Sequence, residues 1–294
     1  MIVLTTPTGN IGRQLLNLLL DHSAPVRVVV RDAARLPAEV RERVEVVEGS
    51  HGDAATVERA FTEADAVFWL PPPSPQTPSL EAAYLDFTRP AAQAFRRLGG
   101  RRVVGVSALG RGTALGERAG LVTASLRMDD LIMDSGVPYR SLAMPSFMDN
   151  LLRQVASIKS QGVFFGPIDA DRKAPTCATR DIAAVAARWL LDDAWTGQET
   201  VPVLGPEDLS ANDMAGIVSE VLGQPVRYQQ VPFDAFRGNL AKAGMSAEFV
   251  DGYVDMMRAK NEGLDTARPR TPEGTTPTTF RQWCEEVLRP ATAG

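Results

Sequence analysis

Short, near-continuous apolar runs alternate along the first half of the chain with stretches whose apolar positions recur at helical spacing. Runs at 2–5, 26–30, 44–47, 66–70, 103–106 and 139–143 are rich in Val, Ile and Leu, without polar alternation. Such runs read as strands covered on both faces. Between them the spacing predicts helices at 11–20, 54–60, 79–98 and 121–135, the last two stopped by Gly99-Gly100 and Ser135-Gly136. Strands alternating with helices predict right-handed βαβ units. The expected fold is therefore α/β, a doubly wound, Rossmann-type parallel sheet.

Past about residue 150 the rhythm changes. Segments 162–167 and 201–204 read as short strands, and helices are expected near 180–192, 210–222, 233–243, 247–260 and 278–288. Asp181 is the expected cap of the first of these, and Ser210 or Asn212 of the next. Thr, Pro and Gly make 266–279 a loop. The organisation expected is a nucleotide-binding core over 1–150 and a smaller, mostly helical, substrate-side subdomain over 151–294, packed on the core.

Composition narrows the function classes. With 44% hydrophobic residues the chain can bury a real core. Thirty-one Lys and Arg against 36 Asp and Glu leave a net charge of −5, which denies a nucleic-acid groove its basic field. No run approaches the roughly 18–20 apolar residues of a membrane span. Met1 leads straight into a strand-like run without a basic leader. Two cysteines, Cys177 and Cys284, build no disulfide framework, so a cytoplasmic protein is expected. Cys, His and acidic residues lack metal-ligand spacing, and no metal is expected.

The strongest local signal is Thr5-Thr6-Pro7-Thr8-Gly9-Asn10-Ile11-Gly12, between the first strand and the first helix. A dinucleotide fold holds its pyrophosphate there. Gly9 lets the backbone approach phosphate, Gly12 lets helix pack on strand, and the helix N-terminus supplies free N–H donors. The common form is G-x-x-G-x-x-G. Here Thr6 replaces the first glycine and Pro7 removes a donor, and a residue with a Cβ at position 6 is expected to avoid positive φ. Arg31 ends the second strand where an NAD-selective site commonly has an acid. A guanidinium suits a 2′-phosphate, with Arg13 as a possible helper, and the preferred cofactor is NADP(H) over NAD(H). Alternatively Arg31 is a surface charge and Asp32 serves the ribose.

These residues, with V-V-V-R-D at 28–32, A-D-A-V-F-W-L-P-P-P at 64–73, V-S-A-L-G at 106–110, S-G-V-P-Y-R-S-L-A-M-P-S-F-M-D-N at 135–150 and T-R-D-I-A-A-V-A at 179–186, resemble the NmrA-like atypical short-chain dehydrogenase/reductases. L-G-P-E-D-L-S and L-G-Q-P-V-R-Y extend the resemblance through the C-terminal half. It implies that Thr6, Thr8, Gly9, Asn10, Ile11 and Gly12 wrap the pyrophosphate and that Arg31 holds the 2′-phosphate. Leu70 and Pro71 would border adenosine and ribose, Ser107 would sit beside the nicotinamide, and Pro145 to Phe147 would close over it. The sequence departs from the family at Ser50, which stands where an adenine-facing Asp is frequent, with Asp53 nearby. The Tyr-x-x-x-Lys pair of ordinary short-chain dehydrogenases is missing. Its positions correspond to Leu121 and Ser125, and the residues four after Tyr84, Tyr139, Tyr228 and Tyr253 are Thr88, Ala143, Pro232 and Met257.

Ser107 is the candidate catalytic hydroxyl, or else a strand-end cap. Trp69 and Phe147 form either an aromatic substrate wall or core. Cys177 is either a redox thiol or, more commonly, a buried and inert cysteine, and His51 either a proton donor or, more commonly, a solvated loop histidine. The expected function is an NADPH-dependent reductase acting on a flat conjugated acceptor, a quinone-like molecule or a polycyclic aromatic ketone. Its small-molecule substrate is the expected partner, without nucleic acid or membrane, and oligomeric state is left open. The alternatives are a non-catalytic NAD(P) sensor that binds a protein partner, and a degenerate member without cofactor.

Overall fold

A computed structural model describes residues 1–293. Strands β1 (Ile2–Thr5), β2 (Val26–Val30), β3 (Glu45–Glu48), β4 (Ala66–Trp69), β5 (Arg102–Ala108) and β6 (Tyr139–Met144) confirm the six predicted runs. Burial on both faces explains their unbroken apolar character: every residue of β1, β2, β4 and β6 is buried. Next come β7 (Ser146–Phe147), β8 (Val163–Gly166), β9 (Ala174–Cys177), β10 (Gln198–Pro202), β11 (Asp208–Leu209) and β12 (Arg227–Gln230). The central seven-stranded parallel sheet has the order β10-β6-β5-β4-β1-β2-β3.

The chain divides into two compact units. The first comprises residues 1–107, 124–143 and 182–201, and the second 108–123, 144–181 and 202–294. The chain thus passes between the two units several times. The chain returns to the first unit to add β10 at the sheet edge, where Tyr139 N–H donates to Gly197 O at 2.9 Å. Sequence periodicity missed this because β10, Gln-Glu-Thr-Val-Pro, buries only Val201.

In the first unit, helices α1 (Asn10–Asp21), α2 (Ala38–Arg41), α3 (Ala54–Phe61), α4 (Phe87–Leu98) and all but the first three residues of α5 (Leu121–Met133) accompany the strands. Pro90 cannot donate to residue 86, and α4 is entered through a wider π-helical turn, Glu81–Asp86. One core cluster gathers Phe61, Trp69, Phe95, Met128 and Ile132. Trp69 is fully buried, its indole N–H donating to Thr88 Oγ1 at 3.2 Å. It is a core residue, and the aromatic-wall alternative for it is set aside.

The second unit carries the short sheets β11-β9-β7 and β12-β8. Around them lie α6 (Val155–Gln161), the start of α7 (Thr179–Leu191), α8 (Ala211–Leu222), α9 (Phe233–Lys242), α10 (Ala247–Asn261), α11 (Phe280–Trp283) and α12 (Arg289–Ala293). The expected helical C-terminal part is present. Ser210 caps α8 in a reciprocal capping box with Asp213. Asp181 does not cap α7. It lies in the first turn and accepts from Thr278 N–H (3.1 Å) and Oγ1 (2.7 Å). Among the described residues, no helix is long and apolar enough to cross a membrane.

Candidate functional site

Strand order reverses at β1, with β4 on one side and β2 on the other. In an open α/β sheet, ligands bind beyond the carboxyl ends of the strands at such a switch point. Thr5 clasps it: its hydroxyl donates to Phe68 O (2.9 Å) and accepts from Leu70 N–H (3.1 Å). The chain then turns at Thr6, which takes φ +53°, contrary to the expectation that a Cβ would keep it from positive φ. The turn requires it, because Thr6 O must face back to accept from Gly9 N–H at 3.1 Å. For a β-branched residue this conformation is strained.

The two glycines play different parts. A Cβ on Gly12 would lie 2.1 Å from Thr6 O, so this glycine lets α1 cross tightly over the turn. A Cβ on Gly9 would meet only Thr6 O, at an ordinary 3.5 Å, and φ −80° strains no residue there. Gly9 is free of a folding requirement, which leaves close approach of a ligand as its use. Gly9→Val should therefore keep the fold while weakening dinucleotide binding at least tenfold, roughly 1.4 kcal/mol. Calorimetric titration with NADPH checks this, and unchanged affinity removes the loop from the binding site.

Beyond these strand ends lies a cleft of about 580 Å³, formed within the first unit. Thr6, Thr8, Gly9, Arg31, Leu70 and Pro71 line it, as do Arg35, Ser50, His51 and Phe87. The cleft therefore gathers residues that the sequence reading named from four separate segments. Asn10, Ile11 and Gly12 open α1, whose N-cap Gly9 supplies no side-chain cap to its first turn. Thr6 Oγ1 is shut from solvent without a protein partner. Arg31 and Arg35 are both exposed. Unpartnered donors converging with two guanidiniums fit a polyanion, and NADP(H) is one. Asp32 is occupied otherwise: its carboxylate accepts from Ala34 N–H at 2.9 Å and caps the turn that presents Arg35.

His51 is the main correction. It is 7% exposed, not solvated. Its ring stands edge-on to Trp69 (5.3 Å) and Phe87 (4.9 Å), and Nε2 lies 3.1 Å from Leu70 O. Burial, reinforced by the charge of Arg31 and only partly opposed by the Leu70 carbonyl, lowers its pKa to about 4. The neighbouring Asp53 caps α3, accepting from Thr56 N–H and Oγ1, and these bonds hold its carboxyl below the usual range.

Ser107, near the end of β5, is buried, and its hydroxyl donates to Asp129 Oδ2 at 2.6 Å. Ser141 Oγ donates to the same oxygen (2.7 Å) and the Tyr139 hydroxyl to Oδ1 (2.6 Å). Asp129 projects from α5 and is fully buried. The Tyr139 phenol passes directly over Gly105, where a Cβ would lie 2.1 Å from its oxygen. Ser125 Oγ is 3.4 Å from Ser107 Oγ. Pro145 and Phe147 belong to the second unit, Pro145 buried and Phe147 half-buried in β7. Cys177 is also there, fully buried. Burial, with Asp181 and Asp149 adding to it, pushes its thiol well up, as expected of an inert cysteine.

Sequence reasoning missed Arg35 and Asp129 and misplaced His51 in solvent. Arg35 had a signal, since it follows Arg31 by one turn of chain. The other two acquire their environment from distant segments.

Known proteins point the same way. A profile described as NAD(P)H-binding matches residues 7–193, and one for the NmrA-like family matches residues 127–283. A (4-alkanoyl-5-oxo-2,5-dihydrofuran-3-yl)methyl phosphate reductase of Streptomyces griseus is 31% identical, over 97% of this chain and 97% of its own length. An NAD(P)H azoreductase of Xenophilus azovorans is 28% identical over 87% of this chain and 86% of its own. The structure of an NADPH-dependent quinone oxidoreductase of Escherichia coli, complexed with NADPH, superposes with a TM-score of 0.78 at 21% identity. That match covers 96% of this chain and 98% of the other, and at that identity it speaks to fold alone. Both profiles span more than half of the chain, and together with the 31% identity they place it: this protein belongs to the NmrA-like family of NAD(P)H-binding proteins.

Proposed function

We propose that the protein is an NADPH-dependent reductase that delivers hydride to a flat conjugated acceptor, a quinone-like molecule or a polycyclic aromatic ketone. The observation that carries this reading is the cleft at the strand-order switch, where an uncapped helix N-terminus and the guanidiniums of Arg31 and Arg35 converge. Two relatives named as reductases, one of an oxo-dihydrofuran phosphate and one an azoreductase, support the reaction class.

NADPH bound in this cleft supplies the hydride. Thr6, Thr8 and the first turn of α1 offer donors to the pyrophosphate, Gly9 lets it approach the backbone closely, and Arg31 pairs with the 2′-phosphate. Leu70 and Pro71 border the adenosine. No Tyr-x-x-x-Lys occurs in the sequence. Ser107 keeps its proton on Asp129, so toward a ligand it presents lone pairs. It therefore serves as a polar contact on the nicotinamide side more readily than as a proton donor. A conjugated acceptor tolerates this, because its reduced anion is delocalised and positioning supplies much of the rate.

Two measurements test the reading. Arg31→Ala should weaken NADPH by tenfold or more, since a lost charge-assisted pair is worth roughly 1.5–3 kcal/mol, and should leave NADH within about twofold. Equal weakening of both cofactors would show that Arg31 does not read the 2′-phosphate. NADPH consumption with a panel of quinones, ketones and azo compounds tests the chemistry. Tight NADPH binding without turnover on any of them would make the protein a nucleotide sensor.

A further inference from the structure

The second unit carries a guanidinium that the protein does not neutralise. Arg172 lies between β8 and β9 and is half-buried, so part of it stays open to a ligand. Its Nη2 rests against Gly263, where a Cβ would lie 2.3 Å away, so the seat exists because that position has no side chain. The loop that carries Arg172 is braced by two helices. Asp169 N–H donates to Asn261 Oδ1 of α10 at 2.8 Å, and Asn212 N–H of α8 donates to Ala170 O at 3.0 Å. The acids around Arg172 are each committed elsewhere. Asp169 Oδ1 accepts from Asp171 N–H at 2.9 Å, and Asp171 Oδ1 from Asn212 Nδ2 at 2.8 Å. Glu262 pairs with Arg118 at 2.5 Å, and Asp265 pairs with Lys260 at 2.5 Å. Oδ1 of Asp265 is shut from solvent without a partner, so it does not reach Arg172 either. Among the described residues, the Arg172 side chain has neither a carboxylate nor a carbonyl partner.

Withdrawing a guanidinium from water without a counter-charge is costly. A planar guanidinium on a braced loop, with its N–H donors unspent, fits one ligand chemistry: an oxyanion held by two parallel hydrogen bonds. We propose that Arg172 is the receptor of an oxyanion-binding site in the second unit, for the phosphate or carboxylate group of a small organic acid. That group belongs either to the acceptor of the proposed reductase or to a separate anionic effector, and the two sources give different results below. In the first case the proposal rests on the reductase reading and narrows its substrates to acidic acceptors. In the second it stands without that reading.

Calorimetric titration of the whole chain with phenyl phosphate and with benzoate tests the site, in excess NADPH so that the cofactor cleft takes up no free phosphate. Arg172→Gln should bind these probes at least tenfold more weakly than wild type, the factor expected for a lost charge-assisted pair. Arg172→Lys restores a point charge without the planar fork and should recover only part of the loss. Arg153→Gln removes an exposed arginine of the same unit and should leave binding unchanged. No binding of either probe by wild type overturns the assignment. Equal binding by wild type and Arg172→Gln, or an equal loss in Arg153→Gln, also overturns it. NADPH consumption with methyl red and with its methyl ester tells the source of the anion. If the acceptor supplies it, wild type has a KM at least tenfold lower for the carboxylate dye, and Arg172→Gln removes that difference with kcat within twofold. If a separate effector supplies it, the two dyes turn over alike in both proteins while phenyl phosphate still binds wild type. A wild type that reduces neither dye counts against the reductase reading alone, and the titrations still decide the site.

Discussion

Asp129→Ala should lower the unfolding free energy by about 4 kcal/mol, the largest single-residue loss we expect in the first unit. The carboxylate is the common acceptor of Ser107, Ser141 and Tyr139, all nearly or fully buried. Removing it strands three hydroxyls, each costing roughly 1–3 kcal/mol if no new partner is found. Rotation of the two serines and relief from burying a carboxylate recover part of this, which is why the expected figure lies near the bottom of the summed range. Set against a typical total of about 5–15 kcal/mol, the loss is about a quarter or more of the stability. Asp129→Asn retains one acceptor oxygen and should cost clearly less. A urea melt of each variant measures the difference. A midpoint for Asp129→Ala indistinguishable from wild type would mean that the hub contributes nothing.

Gly12→Ala should abolish measurable dinucleotide binding, at least a hundredfold loss, or about 2.7 kcal/mol. The added Cβ would overlap the Thr6 carbonyl oxygen at 2.1 Å and crowd its carbon at 2.9 Å. Both are backbone atoms and cannot swing aside. The helix start or the turn must shift, and the donors that converge on the cleft shift with it. Overpacking of this kind also costs roughly 1–3 kcal/mol in stability. NADPH titration beside a urea melt separates the two effects. Wild-type affinity in Gly12→Ala would place the cofactor elsewhere. The contrast with Gly9→Val is informative, because only Gly12 is needed by the fold as well as by the ligand.

The sheet of the first unit was legible because its strands are covered on both faces, which writes an apolar run into the chain. The phosphate-type loop was legible because strand, glycine spacing and helix are contiguous. Its detail was not: Thr6 accepts a positive φ that local sterics disfavour, because the carbonyl must face Gly9. His51 looked like a loop residue since its neighbours are Ser50 and Gly52, yet Trp69 and Phe87 enclose it from later in the chain. Asp129 reads as the polar face of a helix. Nothing near it in sequence announces that β5 and β6 will turn three hydroxyls toward it. The two-residue strands β7 and β11 are too short for any periodicity to register.

The late return of the chain to form β10 has a consequence for synthesis on the ribosome. β6 emerges some fifty residues before its outer neighbour, and until residues 198–202 arrive it is a bare edge with open N–H and C=O groups. The intervening segment 144–181 belongs to the other unit. The nascent chain therefore carries an unfinished, strongly apolar sheet while it builds something else. Polar Gln198 and Glu199 at the start of β10 then cap the finished edge with side chains that discourage a further strand from joining.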